Sequence, residues 1–193
     1  AALPKPDANG WTTIFDGKSL EGWTLHREGT SECKVTPRED CIEMSGKGAF
    51  VHSLQARDVA VRAWVRMIGQ TDNLHITLRS GEEFGPRYGA CFLGGNRFTV
   101  GMSTGTKWRD LGRDATKTPP DGFFEMVFTA VGDTLTLHVD GKEVIRLQNG
   151  THREGAVAFG VGGHGTTAQF RRVDVKVLDR EPGAAPTQQE AGT

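Results

Sequence analysis

The stretch MVFTAVGDTLTLHVDGKEVIRL, Met126 to Leu147, reads as three strands joined by two tight turns. Gly132-Asp133 and Asp140-Gly141 are two-residue loops that supply the positive φ values of primed turns, whose twist matches that of the flanking strands. Pairing Val131 with Thr134 and Val139 with Lys142 puts Met126, Phe128, Ala130, Leu135, Leu137, Val139 and Val144 on one face, because side chains alternate along a strand. The opposite face carries Thr129, Thr134, Thr136, His138 and Glu143 and is the wetter side. A sheet with one apolar face needs a second layer to cover it.

Outward from this stretch, turn signals recur at short intervals in both directions. The expected strands are Trp11 to Phe15, Leu20 to Leu25, Cys33 to Val35, Cys41 to Met44, Ala49 to Ser53, Val59 to Ile68, Leu74 to Arg79, Tyr88 to Leu93, Arg97 to Met102, Trp108 to Leu111, Ala156 to Val161 and Ala168 to Val177. Many short strands with Gly-rich turns predict an all-β jelly roll or sandwich of two antiparallel sheets. Val59 to Ile68 alternates apolar residues with Arg62, Trp64 and Arg66, and the break between Phe170 and the set Val173, Val175 and Val177 predicts a bulge near Arg171-Arg172. Arg113 to Gly122 reads as a loop, and no stretch shows sustained helical periodicity.

The 193 residues suit a single domain. Residues 1–9 and 180–193 are rich in Pro, Ala and polar residues and read as an N-terminal linker and a disordered C-terminal tail around a domain at 10–179. Ala1 in place of an initiator Met gives the expectation of a processed or trimmed start, in a module of a larger protein. No apolar run approaches the roughly 20 residues of a membrane-spanning helix. Net charge is −1, with 23 basic and 24 acidic residues scattered along the chain, which argues against a nucleic-acid partner. A hairpin centred near Pro37 would set Cys33 opposite Cys41; such a pair reads either as a disulfide, which would suit an extracytoplasmic compartment, or as two buried thiols. Cys91, in the run ACFL, reads as core.

The opening WTTIFDGKSLEGW, Trp11 to Trp23, resembles the start of the 3-keto-disaccharide hydrolase family, a concanavalin A-like (LamG-like) lectin/glucanase sandwich. NLHITLR (Asn73 to Arg79), DTLTLHVDGKEV, GAVAFG and HGTTAQFRRVDVKVL (His164 to Leu178) resemble its later strands in order. The resemblance implies an extracytoplasmic protein that engages carbohydrate. The chain departs from the pattern at five places: the Glu of a Tyr-Glu pair is Gly89, a Gln two residues after it is Cys91, a Ser-Gly after Asn73 is Leu74-His75, a Gln near the penultimate strand is Gly160 and an Asn is Arg172.

Hydrolysis of a glycosidic bond usually needs two carboxylates converging across a cleft. Glu82 and Glu83, in the loop SGEEFGPRYG, are candidates to replace the lost acid, or a solvated acidic turn. His75, Thr77 and Arg79 project to one face of their strand, either as a ligand-facing strip with Asn73 or as an outer face in water, and His75 is the candidate acid/base partner. Trp64, Tyr88 and Trp108 with Arg109 are candidate sugar platforms, each also readable as packing. His164, on a Gly-rich loop, reads as an imidazole for acid/base work, alternative to His75, or for binding a hydroxyl, or else as a turn residue. Asp110, Asp114 and Asp121 lack the spacing of a calcium loop, so no cofactor is expected beyond an optional structural calcium. The expected function is a carbohydrate-engaging module with a degenerate hydrolase site. The alternative is an active hydrolase of 3-keto-disaccharides or other 3-keto-glycosides.

Overall fold

Alternation of apolar and polar residues runs through almost the whole chain. The computed structural model describes residues 3–27, 30–68, 73–93, 97–115 and 122–179. The strands are β1 (Thr12–Phe15), β2 (Trp23–Arg27), β3 (Cys33–Pro37), β4 (Ile42–Ala56), β5 (Val59–Met67), β6 (Asn73–Ser80), β7 (Arg87–Leu93), β8 (Arg97–Ser103), β9 (Trp108–Asp114), β10 (Phe124–Val131), β11 (Thr134–Val139), β12 (Lys142–Gln148) and β13 (Gly155–Val177). The helical content among the described residues is a 3-10 turn, Glu82–Phe84. No helix there is long and apolar enough to cross a membrane.

Hydrogen bonding joins the strands in the order β12-β11-β10-β5-β13-β6-β7-β8-β9, with β1 and β4 also on β13 and with β2 and β3 on β4. The long strand β13 turns the corner between layers: Ala156 to Val161 pairs with β6, and Ala168 to Val177 pairs with β5. β4 bends beside it, using Ile42 to Ser45 against the later half of β13 and Gly48 to Ala56 against the earlier half. The outcome is the concanavalin A-like jelly-roll sandwich. Its core is filled by Phe15, Phe50, Phe159 and Phe170 at one end and Phe92, Phe98 and Phe124 at the other, with Met126, Phe128, Leu135 and Leu137 between the layers. Each such side chain contributes about 1.5–3 kcal/mol of burial.

The Met126–Leu147 hairpins pair as their turns require, Val131 with Thr134 and Val139 with Lys142. One residue differs from expectation. A register shift between Leu137 and His138 brings Ile145, not Val144, opposite Leu137 and into the core. The bulge near Arg171 is present, between Phe170 and Arg172. Two pairs of expected short strands are continuous: Cys41–Met44 and Ala49–Ser53 both fall within or beside β4, and Ala156–Val161 and Ala168–Val177 within β13. The glycines that read as turns are the bends at which these strands change layer; Gly46 (φ 95°) and Gly165 (φ 82°) take conformations that favour glycine. β9 continues to Asp114, beyond the expected Leu111 and into the expected loop at Arg113.

The hairpin joining β3 to β4 is centred later than Pro37. Pro37 pairs with Ile42, Cys33 pairs with Gly46, and Arg38 N–H donates to the Cys41 carbonyl. Cys33 and Cys41 are therefore not opposite each other, and all three cysteines are free and buried. Burial pushes both the Cys33 and Cys41 thiols up. Protein denatured without reductant is expected to titrate three thiols, with reductant leaving the melting temperature unchanged; a titre of one would restore the bridge. At the N-terminus, Leu3 packs against the core, and the Asp7 carboxylate accepts from the Asn9 and Trp11 backbone N–H groups. The expected tail, 180–193, lies outside the described residues.

Candidate functional site

A cleft of about 610 Å³ opens on the face of β6, β7 and β8 that points away from the core. On the inner side of these strands Leu74, Ile76, Leu78, Ala90, Phe98 and Val100 are fully buried, so alternation turns their neighbours outward to the cleft. Register sets those neighbours in rows. His75 stands opposite Cys91, and Cys91 opposite Thr99; the next row is Thr77, Gly89 and Gly101.

The two glycines make a flat floor for the Trp108 indole. A Cβ on Gly89 would stand 2.9 Å from Trp108 Cη2, and one on Gly101 would stand 2.4 Å from Cζ2. Trp108 Nε1 donates to Asp110 Oδ1 at 2.7 Å, and the other Asp110 oxygen is paired with Arg113. The ring is thus held in place while 44 % of the residue stays exposed. A fixed aromatic face with polar groups beside it suits a ligand with one apolar face and a rim of hydroxyls.

His75 lies deeper, 7 % exposed. Burial, with the Arg87 charge as a smaller cause, holds the imidazole neutral and its pKa down to about 3, although a hydrogen bond to the Val161 backbone opposes the shift. The Phe84 ring stacks on it, centroids 5.7 Å apart and planes 21° from parallel. Burial likewise pushes the Cys91 thiol up to about 12, so at neutral pH it is protonated and unsuited to nucleophilic attack. Charge around the cleft is mixed: Arg27, Lys47 and Arg87 against Glu83 and Asp110.

Of the residues singled out in the sequence, Asn73, His75, Glu83 and Trp108 come together here. Asn73 Nδ2 donates to the Gly162 carbonyl at 3.1 Å. Glu82 lies instead in an adjoining groove, which Glu83 also borders. Arg79 leaves the row of His75 and Thr77. Thr77 pairs with Ala158 and Ser80 with Ala156, so Leu78 and Arg79 oppose a single residue in a bulge, and Arg79 adopts φ 51°. Its guanidinium is buried against the carbonyls of Arg57, Gly132 and His152. Tyr88 is core, its hydroxyl donating to Asn149 and accepting from the His152 N–H. Trp64 sits on the other layer between Arg62 and Arg172, and Arg109 is exposed on β9 away from the cleft. The His164 side chain and Asp121 lie outside the described residues; among those described, no group of three or more His, Cys, Asp or Glu is placed to hold a metal. Sequence reading missed His26 and Lys47 as cleft residues, because β2 and β4 reach β6 only through the corner strand β13, and it missed Phe84 and Arg87, because the turn after β6 folds back over His75 and no strand periodicity marks that.

The family model described as a 3-keto-alpha-glucoside-1,2-lyase-like domain matches residues 10–176. No curated protein matches the chain by sequence. Among solved structures, the carbohydrate-binding module CBM66 from Bacillus subtilis is 14 % identical with a TM-score of 0.68, covering 86 % of this chain and 95 % of that one. A prokaryotic beta-1,3-1,4-glucanase (lichenase) from a mouse hindgut metagenome is 12 % identical with a TM-score of 0.65, covering 87 % and 99 %. The Bacillus licheniformis beta-glucanase is 9 % identical with a TM-score of 0.59, covering 82 % and 99 %. At these identities the likeness is one of fold.

Proposed function

The chain belongs to the family of 3-keto-alpha-glucoside-1,2-lyase-like domains, and from that premise we propose that it binds carbohydrate in the cleft over β6, β7 and β8, as a glycan-binding module whose hydrolytic site is degenerate. The observation that carries this reading is the Trp108 indole resting on Gly89 and Gly101. Position 89 is where the resembled pattern has its Glu, and here an aromatic ring occupies that space. Gly160 stands for a Gln of the pattern, and a Cβ there would lie 2.1 Å from the Gly48 carbonyl oxygen, leaving no room for the longer side chain on this backbone. The ring packs the apolar face of a sugar, and Asn73, Asp110, Arg87 and Lys47 reach its hydroxyls. The domain, residues 10–179, works outside the cytoplasm as part of a longer chain.

Titration of the purified protein with a 3-keto-disaccharide and its parent disaccharide, read by calorimetry, tests the reading. Trp108→Ala is expected to weaken binding about tenfold, the scale of one aromatic contact. Gly101→Ala, which lifts the indole off its floor, is expected to do the same. Binding that neither substitution alters would place the ligand elsewhere. A second reading rests on Glu83, which shares the cleft with His75: a carboxylate beside a neutral imidazole is the material of acid/base catalysis. Monosaccharide release from the 3-keto-disaccharide that Glu83→Gln or Glu82→Gln abolishes would replace the binding reading with an enzymatic one.

A further inference from the structure

Two buried polar atoms beneath the cleft, His75 Nδ1 and Thr77 Oγ1, have no hydrogen-bond partner among the described residues. They stand two residues apart on β6 and face the same way. Orphaned buried polar atoms are uncommon and destabilising, so a pair of them at the base of a cleft calls for a partner that the closed structure excludes.

The turn Glu82–Phe84 covers the first of them, and the Trp108 indole lies beside the second. Phe84 stacks on His75, and both Glu83 (φ 52°) and Phe84 (φ 59°) lie in the left-handed region, where a bulky side chain stays only if its surroundings force it. Here Arg87 does the forcing. Its Nη1 donates to the Phe84 carbonyl at 2.5 Å and the Gly85 carbonyl at 2.8 Å, and its guanidinium lies 3.6 Å from the Phe84 ring centroid. Gly81 N–H to the Pro86 carbonyl, 2.8 Å, closes the base of the turn, so Gly81 and Gly85 bracket a short segment with its own latch.

Resting on the reading of the cleft as a sugar site, we propose that the Glu82–Phe84 turn is a gate: swinging Phe84 off the His75 ring uncovers a deeper subsite in which His75 Nδ1 and Thr77 Oγ1 take a hydroxyl of the sugar stacked on Trp108. A hydroxyl is donor and acceptor at once and satisfies both atoms. The neutral imidazole needs no counter-ion to do so. Thr77 is next to the platform: its Cγ2 lies 3.6 Å from a Cβ built on Gly89, the residue on which the indole rests. Opening releases two strained backbone conformations beside Arg87, which lines the cleft.

Diethylpyrocarbonate, which acylates neutral imidazole, reads the gate without any sugar. His75 of the wild-type protein is expected to react slowly, and Arg87→Met, which unlatches the turn while keeping the Phe84 ring, about tenfold faster, the effect of losing a charge-assisted hydrogen bond. With the 3-keto-disaccharide as probe, binding is expected to shield His75 from the reagent. Thr77→Val, which keeps the side-chain shape, is expected to weaken that binding about tenfold. Two failures are separable. Normal wild-type binding, with unaltered Thr77→Val affinity and unaltered Arg87→Met reactivity, overturns the gate alone. Absence of sugar binding by the wild-type protein overturns the cleft reading and the sugar subsite with it, whatever His75 reactivity shows about the turn.

Discussion

Acidification from pH 7 to pH 4.5 is expected to lower the unfolding free energy by about 3 kcal/mol through His75, at 1.36 kcal/mol per pH unit of unequal proton binding. The imidazole's pKa is about 3 in the folded chain against the ordinary value of 6.5. Between those values the unfolded chain binds the proton and the folded chain does not, so stability is fully present above pH 6.5 and falls as pH drops towards 3. His52 and His152, both lowered chiefly by burial, act in the same direction. The carboxylates held low, Asp7, Asp16, Glu43 and Glu143, have ordinary values of 3.8 or 4.5 and lose their contribution mainly below that range. The interval from pH 6.5 to 4.5 therefore belongs to the histidines. Urea unfolding at half-unit steps across it should show a slope that largely disappears in His75→Gln. An equal slope in that variant would mean that His75 is not buried as a neutral ring.

The same histidine marks how far the sequence could be read. Leu74, Ile76 and Leu78 were legible as core from alternation alone, and His75 and Thr77 as the opposite row. What alternation left out was depth. Both residues are nearly fully buried because Phe84 and Trp108 cover them, and neither cover is visible in strand periodicity. Trp108 was a candidate by residue type, but the floor under it comes from β7 and β8, twelve residues apart at Gly89 and Gly101, brought together by register. The hairpins of Met126 to Leu147 were readable because their turns are local and their glycines sit at the turn positions; the glycines of β4 and β13 carry the same local signal and instead bend strands that continue. Cys33 and Cys41 show how sensitive pairing is to the turn: a hairpin centred past Pro37 sets Cys33 against Gly46.

Replacing Arg79 is expected to be the most damaging single substitution outside the hydrophobic core. Sequence parity put this residue on the ligand-facing strip; the bulge in β6 turns it instead into the space between three connections. Its Nε donates to the Arg57 carbonyl at 2.6 Å, Nη1 to the Gly132 and His152 carbonyls at 2.9 and 3.0 Å, and Nη2 to Asp58 Oδ1 at 3.2 Å. One guanidinium thus ties the turn between β4 and β5, the β10–β11 hairpin and the loop leading into β13. Asp58 extends the tie by accepting from the Gly132 N–H, while its own N–H donates to Asp179. Arg79→Ala removes the shared donor of these acceptors and empties the space the buried guanidinium fills, and breaking a network around a buried charge costs about 3–5 kcal/mol. For a chain of this size that corresponds to a melting temperature lower by roughly 10 °C, at about 2–4 °C per kcal/mol. Arg79→Lys should recover little, because a single ammonium cannot span acceptors arranged around a planar fork. Asp58→Asn should cost much less, since the amide oxygen still accepts and the side chain is partly exposed. If Arg79→Ala melted within a degree or two of the wild type and instead lost only sugar affinity, the guanidinium would have to face the cleft, and the bulge that directs it inward would be misplaced.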